Sequence, residues 1–122
     1  MADQDRAAFE ATRAEFLGQM RAEHEAREAA RAEARRLFEG VTLPELRGSP
    51  KQVAWAKEIR LDVLAEIAME IRAQAEVDTD RLVKALVKAA AGRRDAAAWI
   101  NLRGFLKAKI GNDAAQIYRA GA

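Results

Sequence analysis

The 122-residue sequence has no cysteine, two prolines, seven glycines and a single histidine. The lack of cysteine excludes disulfides, thiolate metal sites and thiol nucleophiles. With so few helix-breaking residues, a chain rich in alanine, leucine, glutamate, arginine and lysine favours an all-α protein. No apolar run approaches the roughly 20 residues that cross a bilayer, and the N-terminus lacks the pattern of a signal peptide. We therefore expect a cytoplasmic protein with no membrane contact.

Large apolar side chains are scarce as well. The hydrophobic share is 50%, but alanine alone supplies 29 residues. The remaining apolar side chains are enough for one modest helical core. The pattern predicts a long charged helix over residues 1–39, followed by a compact helical domain over residues 40–122 that bundles three to four shorter helices.

The first predicted helix runs from Asp3 to Glu39 and contains no proline. Its middle alternates alanine with charged residues. Its large apolar residues lie toward the ends and are Phe9, Phe16, Leu17, Met20, Leu37 and Phe38. At 1.5 Å per residue such a helix would reach about 54 Å, beyond the width of a small domain. It therefore either projects from the domain or is anchored at its ends, and a homodimer through this helix is one option.

The start of the second helix carries several signals together. Ser49 is a favoured N-cap, Pro50 suits the first helical position, and Gln52 completes a capping box. The apolar residues that follow at spacings of three and four are Val53, Ala56, Ile59, Val63, Ile67 and Ile71. This spacing predicts the central core helix, which we expect to end near Ala75.

Further cap and turn signals divide the rest of the chain. The run 77–80 is predicted to form a turn and the cap of a third helix that stops near Gly92, and Asp95 is predicted to cap a fourth. Gly104 either ends or interrupts that fourth helix. The run 111–113 predicts a turn before a short last helix over residues 114–119, with Ile117 and Tyr118 against the body.

Residues able to carry catalysis are few. His24 lies on the most polar part of the first helix, so a solvated residue is favoured over a general base or metal ligand. Ser49 has an evident capping role and no histidine nearby. The sequence has no phosphate-binding glycine loop and no zinc-site spacing. We therefore predict a protein that is not an enzyme, with no cofactor and no metal site.

Two tryptophans stand out in a chain that is only 6% aromatic. Trp55 precedes Ile59 by four residues, and Trp99 lies beside Ile100. The favoured prediction places both in the core. The alternative leaves one of them at the rim of the core, as an anchor for a partner.

The last third of the chain is basic. Residues 78–122 carry nine Lys or Arg and four Asp, a net charge of +5. The candidate contacts for nucleic acid in this segment are Arg81, Lys84, Lys88, Arg93, Arg94, Arg103 and Lys107. Such a surface is typical of nucleic-acid binding. It could equally neutralise acidic residues of the first two helices or keep the protein soluble.

The segment 43–60 reads LPELRGSPKQVAWAKEIR. It resembles a GS-x-KQ-xx-WA-xx-IR motif of small uncharacterised bacterial and phage-borne proteins. A second segment of that family resembles residues 98–103, although Asn101 stands where the family is expected to have an acid. The resemblance spans about residues 43–103 and implies a mobile-element context, without an activity or catalytic residues.

These observations lead to two functional hypotheses. The first is a non-catalytic interaction protein, such as a phage-borne, anti-CRISPR-like inhibitor that occupies a host defence protein or nucleoprotein complex. In the second helix, Lys51, Trp55 and Arg60 are the candidate contacts, and Lys51 could also hold an anion at the helix N-terminus. The alternative is direct DNA or RNA binding through the basic last third.

Overall fold

The computed structural model describes residues 3–121, and within them it is all-α with no strand. The helices are α1 (Asp3–Arg35), α2 (Pro50–Gln74), α3 (Thr79–Ala90), α4 (Ala96–Asn101) and α5 (Arg103–Arg119), and a short 3-10 turn (Arg36–Phe38) follows α1. The predicted fold class, a long charged helix followed by shorter ones, is confirmed.

Two compact units divide between Ala30 and Arg31. The first unit is the larger part of α1, in which residues 3–29 are all exposed. An ion pair between Arg6 and Glu10, 3.6 Å apart, bridges one turn of this helix. The boundary between residues 39 and 40 that the sequence suggests stays a prediction.

The second unit packs around α2, the predicted core helix. Its fully buried Val63 and Leu64 lie in one cluster with Leu86 of α3, Trp99 of α4 and Ile110 of α5. The start of α2 is as predicted. The Ser49 hydroxyl accepts from the Gln52 amide at 3.2 Å, and the Gln52 side chain accepts from the Ser49 amide at 3.1 Å. Local capping thus fixes where the central helix begins.

The connector between α1 and α2 is attached to the second unit. Gly40 has φ 73°, as expected of a residue that ends a helix, and Leu46 is buried in the core. Gly48 has φ 152°, and a Cβ there would lie only 3.1 Å from the Ala96 Cβ. Only glycine therefore suits this close approach of the connector to the start of α4.

The predicted ends of the last helices are partly wrong. The fourth helix ends at Asn101, before Gly104, because Leu102 has φ −121° and ψ 29° and so leaves the helical region. The predicted turn over residues 111–113 does not form, because α5 continues through it to Arg119. Ile110 and Ala114, on either side of this run, are fully buried in the core and hold the helix there. Packing outweighs the local turn preference.

Replacing Ser49 tests the capping box. Ser49→Ala removes the acceptor for the Gln52 amide and should lower the free energy of unfolding by about 1 kcal/mol in a urea titration. Ser49→Asp keeps an acceptor and should stay close to the wild type. Equal stability of the alanine variant and the wild type would contradict the assigned role.

Candidate partner-binding surfaces

A row of carboxylates runs along α2. Glu58, Asp62, Glu66 and Glu70 recur at every fourth residue, a spacing that places them on one side of a helix. We call these four residues the acidic row. It is the main electrostatic feature of the second unit, since basic side chains from two other helices converge on it.

The end of α1 supplies one set of partners for the acidic row. Arg35 contacts Glu58 at 2.8 Å and Asp62 at 3.4 Å. Arg31 lies 3.4 Å from Glu66. These pairs join the last turns of α1 to α2.

Helix α5 supplies the other set. Arg103 lies 3.0 Å from Glu66, and Lys107 contacts Glu66 at 3.5 Å and Glu70 at 2.7 Å. The hydrogen bond to Glu70 raises the pKa of Lys107 above its ordinary value, partly opposed by burial, and the charges of Glu70 and Glu66 add to the rise. Because the folded-state pKa is raised, this stabilisation is fully present below the ordinary lysine pKa and is lost as the pH rises through the raised value.

These ion pairs correct two of the predicted nucleic-acid contacts. Arg103 and Lys107 are half-buried and bound to α2. Binding a phosphate would require them to leave carboxylates already in place. For these two residues the structure agrees with the alternative in which basic side chains neutralise acids of the first helices.

Two further candidates have roles inside the fold. Arg60 is only 5% exposed, and its Nη1 donates to the Pro44 carbonyl at 2.7 Å. Burial lowers the pKa of this guanidinium. Arg81 donates to the Tyr118 carbonyl at 2.6 Å and lies 4.3 Å from the centre of its ring. Arg60 is therefore not a surface contact, and Arg81 ties α3 to the end of α5.

The two tryptophans have opposite environments. Trp99 is fully buried, and its Nε1 donates to the Arg93 carbonyl at 2.8 Å. Trp55 is 60% exposed. The prediction that both pack in the core is confirmed for Trp99 and wrong for Trp55, which keeps the alternative role of a surface anchor. Lys51 is exposed near the start of α2.

Arg93 and Arg94 line a groove of about 430 Å³, which we call the arginine groove. Arg47 of the connector also lines it, together with Leu102 and Phe105. Leu102 is 50% exposed and Phe105 63%. None of the three arginines makes a side-chain ion pair or hydrogen bond with another residue of the range 3–121. The groove therefore combines unpaired guanidinium groups with exposed apolar side chains.

Lys84 and Lys88 border a second groove, of about 570 Å³, which we call the lysine groove. The apolar side chains that line it are Leu37, Val41, Val83, Val87 and Ala91. Glu39 and Asp80 also line it, so its charge is mixed. Both lysines are exposed and, within the described part of the chain, unpaired.

Sequence reasoning missed three residues of the arginine groove. Arg47 precedes the predicted cap of the second helix, and neither it nor Leu102 and Phe105 is among the predicted contact residues. The usable signal was the break near Gly104, because a chain that changes direction there leaves some apolar residues outside.

His24 is exposed, and residues 3–121 contain no group of three His, Cys, Asp or Glu placed to hold a metal ion. No helix in that range is long and apolar enough to span a membrane.

A substitution of Glu66 tests how much the acidic row stabilises the fold. The Glu66 side chain is only 19% exposed and contacts Arg31, Arg103 and Lys107. Glu66→Gln keeps the shape and removes the charge, and should lower the free energy of unfolding by about 1–2 kcal/mol at low salt. At about 1 M NaCl, where the Debye length is ~3 Å, the loss should shrink. Glu58→Gln, at an exposed position, is the matched control and should cost roughly 0–1 kcal/mol. Equal effects of the two substitutions would contradict the central place of Glu66.

Comparisons of this chain with protein-family models, with curated proteins and with solved structures give no match. A function has to be argued from the side chains that the fold leaves exposed. The exposed side chains that combine charge with apolar area are the unpaired arginines and lysines of the two grooves and the apolar residues beside the arginines, and Trp55 is exposed on α2.

Proposed function

We propose that this protein is a non-catalytic interaction protein that binds a protein or nucleoprotein partner. One observation carries the proposal: Arg47, Arg93 and Arg94 in one groove, and Lys84 and Lys88 in another, are left unpaired by the fold beside apolar side chains. Aromatic residues and arginines are the side chains enriched at protein interfaces, and buried apolar contacts supply much of the affinity there. Arg94 and Phe105 place an arginine and an aromatic side chain in the same groove.

A host-directed role follows from the resemblance of residues 43–60. We propose that the protein occupies a surface of its partner and so inhibits a host defence protein or nucleoprotein complex, as an anti-CRISPR protein does. The site of action would be the cytoplasm. Trp55 and Lys51 would add a second contact area on α2.

Direct binding of DNA or RNA is the second candidate, supported by the four exposed or half-exposed cations Lys84, Lys88, Arg93 and Arg94. It is the weaker proposal, because two predicted members of the basic surface, Arg103 and Lys107, are bound to α2. The remaining cations are divided between two grooves. A nucleic-acid backbone is usually held by a continuous set of phosphate contacts, which this division does not favour.

A salt titration separates the two candidates. The full chain would be titrated against single- and double-stranded oligonucleotides in a mobility-shift assay, and in parallel used as immobilised bait in a bacterial host lysate treated with nuclease. We expect a protein that is retained after nuclease treatment, lost with Arg94→Glu and kept with the control Lys57→Glu. Tight oligonucleotide binding with a steep salt dependence, and no retained protein, would favour the second candidate.

Self-association through α1 is a further part of the proposal. Phe9, Phe16 and Met20 lie near one face of this helix, with Leu17 beside them, and all four are at least half exposed. We expect sedimentation equilibrium to show a dimer at micromolar concentration, because pairing would remove these side chains from water. Phe16→Glu should shift the population to monomer, and Glu15→Gln, at a neighbouring polar position, should not. A wild type that stays monomeric would contradict this part.

A further inference from the structure

The charges and apolar side chains of the arginine groove indicate what kind of ligand it binds. We propose that it binds an acidic peptide segment of the partner, with one large apolar side chain seated against Leu102 and Phe105. This inference rests on the proposed function, since it names the chemistry of the partner. It assigns a role to Arg47, Leu102 and Phe105, which are not among the contact residues predicted from the sequence.

The charges of the groove favour carboxylates. Arg47, Arg93 and Arg94 contribute three cations, and the one acid that lines the groove is Asp95. Asp95 already accepts a hydrogen bond from the Ala97 amide at 3.0 Å as the N-cap of α4. A guanidinium presents a planar fork of donors that matches a carboxylate in two hydrogen bonds. The groove therefore offers several such forks and little internal competition for them.

The apolar side of the groove favours a peptide with an anchor residue. Phe105 and Leu102 are largely exposed, whereas Leu106, which also lines the groove, is 2% exposed and belongs to the core. The two exposed side chains therefore lie beside a residue that is anchored in the core. An apolar side chain placed over them would exclude water, and ion pairs beside it would then act in a lower dielectric.

The backbone under the arginines is held in place before any partner arrives. The Arg93 carbonyl accepts from the buried Trp99 indole at 2.8 Å. The Arg47 amide donates to the Arg94 carbonyl at 2.6 Å, and the Ala96 amide donates to the Arg47 carbonyl at 2.9 Å. Residues from two distant parts of the chain are thus fixed next to each other. Preorganisation of this kind reduces the entropy that binding would otherwise cost.

The size of the groove also argues for a peptide over a nucleic acid. Its volume of about 430 Å³ suits one or two side chains. OB-fold proteins, for example, hold single strands of roughly 4–16 nucleotides along a charged groove with stacking aromatic side chains. Phe105 is the one aromatic that lines this groove, and Lys84 and Lys88 line the other.

The experiment is a titration of the full chain, labelled with nitrogen-15, followed by amide chemical shifts. The probe is a synthetic acetylated hexapeptide amide, Glu-Asp-Leu-Phe-Asp-Glu, added to millimolar concentration. We expect saturable shifts centred on Arg47, Arg93–Asp95 and Leu102–Phe105. A peptide with Gln and Asn in place of the acids, and one with Ala in place of Leu and Phe, should each bind roughly tenfold more weakly, a loss of about 1.4 kcal/mol.

Variants locate the site. Arg94→Glu and Phe105→Ala should each weaken peptide binding about tenfold, and both positions are exposed, so the fold should persist. Lys57→Glu, at an exposed position outside the groove, is the matched control for the charge change and should not alter the affinity. Equal binding of the acidic and neutral peptides would overturn the inference. Shifts centred on the lysine groove would overturn it as well.

Two outcomes separate this inference from the proposed function. If a short oligothymidylate binds the arginine groove more tightly than the acidic peptide does, the peptide is the wrong occupant and the proposed function fails with it. If a host protein is retained equally by the wild type and by Arg94→Glu with Phe105→Ala, the proposed function stands and the arginine groove is not the docking site.

Discussion

The ion pairs between the acidic row of α2 and basic side chains of α1 and α5 determine which charges remain available on the rest of the surface. The row's apolar neighbours on the same helix, Val63 and Ile67 among them, build the core, and its carboxylates bind cations from α1 and α5. Carboxylates spaced four residues apart on one helix repel one another unless cations lie between them. Glu66, with three basic partners, is the best compensated of the four. The fold therefore uses part of its positive charge to stabilise itself.

That use of charge decides what is left for a partner. The net charge of the last third counts all its basic residues, including those that are paired inside the fold. The basic side chains without an internal partner are the ones available to bind another molecule. Arg103 and Lys107 are bound to α2, and Arg81 is bound to Tyr118. Four of the cations that remain free in the last third, Lys84, Lys88, Arg93 and Arg94, line grooves together with apolar side chains. A cation beside an apolar surface recognises a carboxylate best when the same partner also covers the apolar surface, because water is then excluded from the pair. The charge and the apolar area of these grooves therefore both favour a partner that presents a carboxylate beside an apolar side chain.

The parts of the fold that the sequence predicts well are those fixed by local chemistry. The cap of α2 at Ser49 and the cap of α4 at Asp95 need only residues within three positions of each other, so both are visible in one dimension. The helix through Gly111 could not be predicted in the same way, because it is held by the burial of Ile110 and Ala114 against other helices. Trp55 and Trp99 show the same limit. Both lie beside apolar residues, and only tertiary packing determines that one is buried.

The candidate site was predictable only in part, for a related reason. Arg93 and Arg94 can be identified from charge alone, whereas Arg47 reaches them through backbone hydrogen bonds that span more than forty residues of sequence. Gly48 permits that approach, since any side chain there would meet Ala96. The connector therefore does two things at once: its backbone holds the start of α4, and its arginine completes a groove. A segment that reads as a linker because it lacks helical periodicity becomes part of the binding surface, and this explains why a chain with few chemical motifs can still present a specific site.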